Sequence, residues 1–267
     1  MKKFSAFYLV VTCLSALVLL FIVAPLAGLA LSSNTKVIFQ TAADAEFQQS
    51  LRLTLLISAA ATFAGALGAI PLAWLLARHH FPFKQLITGI IDLPIVIPHT
   101  SAGVALLGFL SRDTVVGRLA SALGLSFVGH PLGIGIAMAF VSLPFLIHAA
   151  RTGFEAVPPR LEQAAATLGA SPLRILLSIS IPLASRSIAA GLVMMFARGL
   201  SEFGAVVIVA YHPMVTPVFL YDRLNNLGLS YASPVAIILL GVSLGVFILA
   251  RILSNDFRYV RNSGNKA

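Results

Sequence analysis

Charge is what this sequence has least of. Only 10% of its 267 residues are charged and 58% are hydrophobic, where a soluble domain carries roughly 25% charged residues. A water-soluble surface cannot be built at that ratio, which excludes a soluble enzyme or binding module. Acid is scarcer than base: nine Asp and Glu against 18 Lys and Arg leave a formal net charge of +9. The basic residues lie in short clusters between apolar stretches, without the basic run or aromatic-rich face of a nucleic-acid binder. Basic loops flanking membrane spans account for them. The single cysteine, Cys13, excludes a disulfide framework and a thiolate metal site. Within its apolar segment it reads as a small buried hydrophobe. No phosphate loop of the form G-x-x-x-x-G-K-S/T occurs, so ATP is not bound by that device. No H-E-x-x-H metal motif is present, and His79 and His80, as neighbours, read as loop residues at a membrane interface.

What is abundant is long apolar sequence. A helix needs about 20 apolar residues to cross the hydrocarbon core, and six stretches qualify: 7–31, 52–77, 86–110, 132–150, 187–210 and 233–252. The fold class is therefore all-α, an integral membrane protein of six spans. The first apolar stretch, from Phe4 to Leu31, exceeds the 7–15 residues of a signal-peptide core. It reads as an uncleaved span, with a cleaved leader as the alternative. Twelve of the basic residues, from Lys2 and Lys3 to Lys266, fall on one side of the membrane. Five (Lys36, Arg52, Arg112, Arg118 and Arg223) fall on the other, and Arg198 lies inside a span. The positive-inside rule places both termini in the cytoplasm. The organisation expected is a first helix and outer loop over 1–50, a core over 51–255 and a cytoplasmic tail over 256–267. The outer loops, 32–51, 111–131 and 211–232, are too short for a folded domain, so soluble substrate must be captured by another protein.

The cytoplasmic loop 151–186 carries the most local information. Pro158 and Pro159 set up a helix start, with Glu162 near the positive end of the dipole. Leu161, Ala164, Ala165 and Leu168 fall at i, i+3, i+4 and i+7, one stripe of mostly small apolar side chains. Gly169 sits where a left-handed cap is wanted. Ser171 and Pro172 read as the cap and first position of a second helix, which Pro182 ends or bends. A helix of this kind either lies on the membrane surface or docks into a protein groove. Arg160, Glu162 and Gln163 beside an alanine-rich stripe suit docking better.

Two segments of this loop, Glu162-Gln163-Ala164-Ala165-Ala166-Thr167-Leu168-Gly169 and Ile179-Ser180-Ile181-Pro182, carry a resemblance. They resemble the E-A-A, three residues, G, nine residues, I-x-L-P pattern of binding-protein-dependent ABC importer permeases. Gln163 is an insertion before the alanines, and Ile181 stands where the pattern has leucine. The resemblance extends over roughly residues 50–255. It implies the six-helix type I importer permease fold, acting as a homodimer with twelve spans. Pro159 to Pro172 would form a coupling helix seated in a groove of a separate ATPase, which holds the ATP and Mg²⁺, while an extracytoplasmic binding protein delivers substrate. No cofactor and no catalytic residue is then expected on this chain. Asp92-Leu93-Pro94-Ile95-Val96-Ile97-Pro98-His99-Thr100, Ala197-Arg198-Gly199-Leu200-Ser201-Glu202-Phe203-Gly204-Ala205 and Ala210-Tyr211-His212-Pro213-Met214 resemble, more narrowly, the molybdate/tungstate permeases. Sulfate permeases share parts of these segments.

Ionisable side chains inside spans cost at least about 2.5–3.5 kcal/mol each, and Asp92, His99, Arg198 and Glu202 are such residues. Arg198 and Glu202 share one helix face at i, i+4. At 1.5 Å per residue Arg198 falls near the midplane, with His99 and Glu202 at similar height, so the three are expected to form an interhelical polar cluster beside a pore, with Ser201 next to it. Asp92 lies nearer the cytoplasm, within partial reach of Arg198. The cluster reads either as a self-neutralising packing device or as the lining of a translocation path. Pro94 and Pro98 bend span three. Gly65, Gly68, Gly133 and Gly135 permit close helix packing. A stand-alone secondary transporter or channel, or an intramembrane hydrolase, is the competing class; the first commonly carries internal repeats, which are not evident here, and the second would want its carboxylates at one depth.

Overall fold

The structure, a computed structural model, describes residues 6–263. Lys2 and Lys3, ahead of the first span, and Lys266 in the tail lie outside the described residues. Every regular element among the described residues is helical. Five helices among the described residues are long and apolar enough to cross a bilayer, and a bent pair makes a sixth span when counted as one.

Helix α1 (Ala6–Ser32) leaves its side chains from Phe7 to Gly28 uncovered by the rest of the chain. Cys13, expected to be buried, is exposed on it, because an apolar residue on a stretch of helix that little protein covers meets hydrocarbon instead. A short α2 (Thr35–Ala43) follows, started by the Asn34 side chain, which accepts from the Lys36 N–H. Helix α3 (Ala45–Arg78) begins about two turns earlier than its apolar stretch, since Asp44 caps it and places Glu46 in its first turn. The exposed Arg52 rides on this extension and does not terminate it.

Two of the next helices are broken. Span three is α4 (Lys84–Val96) and α5 (His99–Leu110), which meet at 111°. Pro98 makes the break, forcing Ile97 into extended backbone (φ −74°, ψ 147°). Pro94 does not break the helix; it is buried inside α4, and the helix runs on to Val96. After α6 (Val115–Ala122) and α7 (Pro131–Glu155) come the loop helices α8 (Pro159–Thr167) and α9 (Pro172–Ile175). A π-turn over Leu176–Ser180 then leads without interruption into α10 (Ile181–Leu200). Pro182, expected to end or bend the second loop helix, instead lies just past the π-turn in the first turn of α10, and the helical run continues through it. The expected span 187–210 is thus corrected at both ends: the helical run starts at Pro172 and stops at Leu200, and α11 (Gly204–Val209) is a separate piece. The opposite face carries α12 (Thr216–Leu227), and α13 (Leu229–Ser263) closes the chain.

Helices α3, α7 and α10 form the centre. Toward α8 their seam is filled by Ala73, Leu76, Leu146, Phe154 and Met195; at the other end Ile57, Met138, Ala205, Val206 and Val218 fill it. Lipid outside is as apolar as this core, so close packing rather than hydrophobic burial must hold the helices together. Gly65 serves that purpose, since a Cβ there would stand 2.5 Å from Met195 Cε, and so does Gly133, where a Cβ would stand 3.0 Å from Val209 Cγ1. Gly135 makes only ordinary contact, and no described residue of this chain approaches Gly68. Buried hydroxyls add to the seam: Thr54 Oγ1 accepts from the Thr216 N–H at 2.7 Å, and Ser58 donates to the Phe196 carbonyl at 2.8 Å.

Candidate functional site

Two regions carry the chemistry, and the first is α8. Pro158 is its cap and Pro159 its first residue. At the other end Gly169 adopts φ +83°, which places the Gly169 N–H on the Ala166 carbonyl and the Ala170 N–H on the Ala165 carbonyl, both at 3.0 Å. Those paired bonds are a Schellman cap, and they depend on a residue that tolerates the left-handed region. The Ser171 hydroxyl accepts from the Arg174 N–H, so α9 starts at Pro172.

The helix buries none of its residues fully. Leu161 is 42% and Leu168 89% exposed, and Arg160, Gln163 and Ala164 are exposed with them. Only Ala165 of the stripe is half-buried. What faces the protein is Glu162. Its Oε2 accepts from Arg78 Nε at 2.8 Å and its Oε1 from the Ser180 hydroxyl at 2.6 Å. Burial on its own would raise the carboxyl pKa, but the Arg78 and Ser180 hydrogen bonds outweigh it and hold the group below its ordinary value of 4.5. Among the described residues the stripe is therefore mostly uncovered and presented outward, and the charged residue is the inward anchor.

The second region lies where the two broken helices meet. Arg198 Nη2 is 2.7 Å from Glu202 Oε2 and 2.8 Å from His99 Nε2, and His99 Nδ1 lies 3.8 Å from Glu202 Oε2. Glu202 is 1% exposed, while Arg198 and His99 keep 23% and 39% of their side chains accessible. Glu202 Oε1 accepts from the Ala205 N–H at 2.9 Å and so starts α11. Arg198 stands in the last turn of α10, at the partially negative helix end, and Glu202 stands ahead of α11, at a positive one. Both placements stabilise the break. Ser201 is exposed beside them and donates to the Arg198 carbonyl. The second halves of the two broken helices pack through glycine: a Cβ on Gly103 would meet the Ala205 carbonyl at 2.9 Å, and one on Gly204 would meet His99 Cβ at 2.8 Å.

Two expectations about this region change. Arg198 is not midway along its helix but about 26 Å from Ile181 at 1.5 Å per residue, since α10 begins earlier and stops at Leu200. Asp92 does not reach Arg198; it bonds His148 of α7 at 2.5 Å, with both side chains partly exposed. His148 is an ionisable side chain in an apolar span, and the criterion that singled out His99 could have found it. Arg78 and Ser180 carried no such signal, because neither is near Glu162 in sequence and a cation at a span end looks like any loop cation.

On the opposite face Arg223 bonds Asp44 at 3.0 Å and Glu46 at 3.2 Å and lies 4.7 Å over the Phe219 ring. Nearby, the Tyr211 hydroxyl donates to Asp222 at 2.7 Å, and that carboxylate pushes the phenol pKa up.

Known proteins share this architecture. The molybdate/tungstate transport system permease protein WtpB of Pyrococcus abyssi is 42% identical over 218 residues, covering 82% of this chain and 83% of that one. The protein of the same name from Thermococcus kodakarensis is 39% identical over 242 residues, 90% of this chain and 93% of that one. A bacterial ABC transporter for import of the acidic polysaccharide alginate superimposes with a TM-score of 0.73 at 20% identity, over 94% of this chain and 96% of that one, a likeness of fold alone. Residues 69–259 match the model of the binding-protein-dependent transport system inner membrane component. With that match over most of its length, and the capped loop helix and broken spans of its fold, the chain belongs to the binding-protein-dependent transport system inner membrane component family.

Proposed function

We propose that the chain is the permease subunit of an ATP-driven importer for a tetrahedral oxyanion, molybdate or tungstate. Two copies enclose the path, and both termini face the cytoplasm, the side to which the basic loops assign them. Two copies of a separate ATPase, which bind ATP and Mg²⁺, dock on α8. An extracytoplasmic binding protein docks on the face built from α2, α12 and the start of α3, and selects the anion. The observation that carries this reading is α8 itself: a helix fixed at both ends and tied down by Glu162 leaves Leu161, Ala164 and Leu168 exposed among the described residues. The likeness to the molybdate/tungstate permeases supports the choice of substrate.

Arg198, Glu202 and His99 line the path in this reading. A bare carboxylate would repel an oxyanion, but Glu202 is buried and neutralised beneath the guanidinium, and the accessible charged group is the Arg198 guanidinium, which also donates to the His99 ring.

The test is reconstitution of the chain with its ATPase and binding protein in proteoliposomes. Uptake of tungstate and molybdate should require ATP, and excess sulfate should compete weakly. Leu168→Glu should abolish co-purification of the ATPase. Uptake that proceeds without the ATPase would make the chain a stand-alone transporter, and strong competition by sulfate would reassign the anion.

A further inference from the structure

The geometry points to Arg78 as the residue that converts movement of α8 into movement of the membrane helices, with Glu162 as its partner and Ser180 as the second tie. This inference rests on the reading that an ATPase docks on α8.

A docking helix can transmit a push only if something stiff holds it. The covalent connections are poor candidates. On one side α8 is joined to α7 through Ala156, Val157 and Pro158, and on the other to α9 through Gly169, Ala170 and Ser171. Both links are short non-helical turns. Three hydrogen bonds bypass them. Arg78 donates through Nε to Glu162 and through Nη2 to the Val157 carbonyl at 2.9 Å, gripping both the first turn of α8 and the residue that leads into it. Glu162 accepts in addition from Ser180, the last residue of the π-turn. The Arg78 and Glu162 side chains are 11% and 12% exposed, and Ser180 is fully buried, so solvent does not compete for these bonds.

Each tie leads somewhere. Arg78 is in the last turn of α3, a continuous helix of 34 residues. Twenty residues back, about 30 Å along the same helix, Ser58 donates to the Phe196 carbonyl of α10, two residues before Arg198. Ser180 ends the π-turn that feeds directly into α10. A π-turn is a local widening of the helix, and such turns are frequent at functional positions. The brace therefore connects α8 to α10, whose last turn carries Arg198, and to α3, which bonds α10 two residues before it. Glu162 faces these partners and not the exposed stripe, so its carboxylate serves the inside of the subunit, as a positioning residue, and not the ATPase surface.

The prediction separates coupling from docking. In the full transporter, with molybdate as the transported probe, Arg78→Ala and Glu162→Gln should still co-purify with the ATPase and hydrolyse ATP within about twofold of the parent. Molybdate taken up per ATP should fall at least tenfold. Arg78→Lys, which keeps the charge but cannot hold Glu162 and Val157 with one fork, should fold and show an intermediate loss. Reversal of the pair, Arg78→Glu with Glu162→Arg, should recover part of the ratio. Unchanged uptake per ATP in Arg78→Lys and Arg78→Ala would overturn the inference. So would loss of ATPase binding in Glu162→Gln but not in Arg78→Ala, which would make Glu162 a direct ATPase contact. If Leu168→Glu also left the ATPase bound, the docking reading itself would fall, and that result is read independently of the ratio.

Discussion

Removing the charge from Glu202 tests the junction most directly. Glu202→Gln preserves shape and leaves an oxygen to accept from Ala205, but it sets an amide N–H₂ against Arg198 Nη2, where a carboxylate oxygen now sits at 2.7 Å. Breaking a buried ion pair by neutralising one partner costs about 3–5 kcal/mol. Arg198 retains 23% exposure and can turn partly to water, so the lower end, about 3 kcal/mol, applies. Arg198→Gln should cost more, since it strands a carboxylate that is 1% exposed. The double variant buries two neutral amides able to bond each other, and the cycle should give a coupling energy of about 1.5–3 kcal/mol, the range for hydrogen bonds to charged groups. Trp74 is the single tryptophan, so its fluorescence during titration of mixed micelles with dodecyl sulfate reports unfolding of each variant. A coupling below about 0.5 kcal/mol, the scatter expected of independent sites, would refute the pair as drawn.

Gly169→Ala puts a Cβ on a residue at φ +83° and should destabilise the end of α8 by about 1–2 kcal/mol, read as faster amide exchange at Gly169 and Ala170. Gly204→Ala drives a Cβ to 2.8 Å from His99 Cβ; overpacking of this kind costs about 1–3 kcal/mol, and uptake should fall while ATPase binding survives. Leu168→Glu alters a side chain that is 89% exposed, so the isolated subunit should keep its stability within about 0.5 kcal/mol even as it loses its ATPase. The Glu162 pKa is depressed by Arg78 and Ser180 against the opposing effect of burial. A depressed carboxylate stabilises fully above its unfolded value and loses that contribution as pH falls through the folded one. Exchange protection of α8 should therefore be flat from neutral pH down to about 4.5 and collapse only below it; Glu162→Gln should remove the acid step.

The ends of α8 were legible because their signals are local: Pro158-Pro159, Gly169 and Ser171-Pro172 each act within a turn of themselves, and each sits in the role its chemistry dictates. The bend at Pro98 was legible for the same reason, though Pro94 shows that a proline inside a span need not break it. The break after Leu200 was not. Hydropathy is additive along a window, and Ala205 to Val209 are as apolar as any helix interior, so nothing marks the residues where Glu202 turns back to cap a new helix. Nor could α3 be traced past Arg52, because a charge at a span end reads as an exit when it is only a side chain on an extended helix. Arg78 and Glu162 are 84 residues apart, and a pairing at that distance has no expression in periodicity or spacing.

The junction at Arg198 and Glu202 also bears on whether buried charge here serves packing. For packing alone, apolar residues of similar volume would do as well or better, since desolvation of an ion pair is commonly repaid only in part, and in lipid the penalty is larger still. The geometry asks for charge for a second reason. Both helices that meet there are broken, at Pro98 and at Ser201–Phe203, and a broken helix exposes backbone groups that hydrocarbon cannot satisfy. Glu202 satisfies one such group, the Ala205 N–H, and Arg198 neutralises Glu202. The pair thus makes the break tolerable at that position. In the proposed importer, with the Arg198 guanidinium left partly accessible and the carboxylate hidden, the arrangement that permits the break also suits passage of an oxyanion.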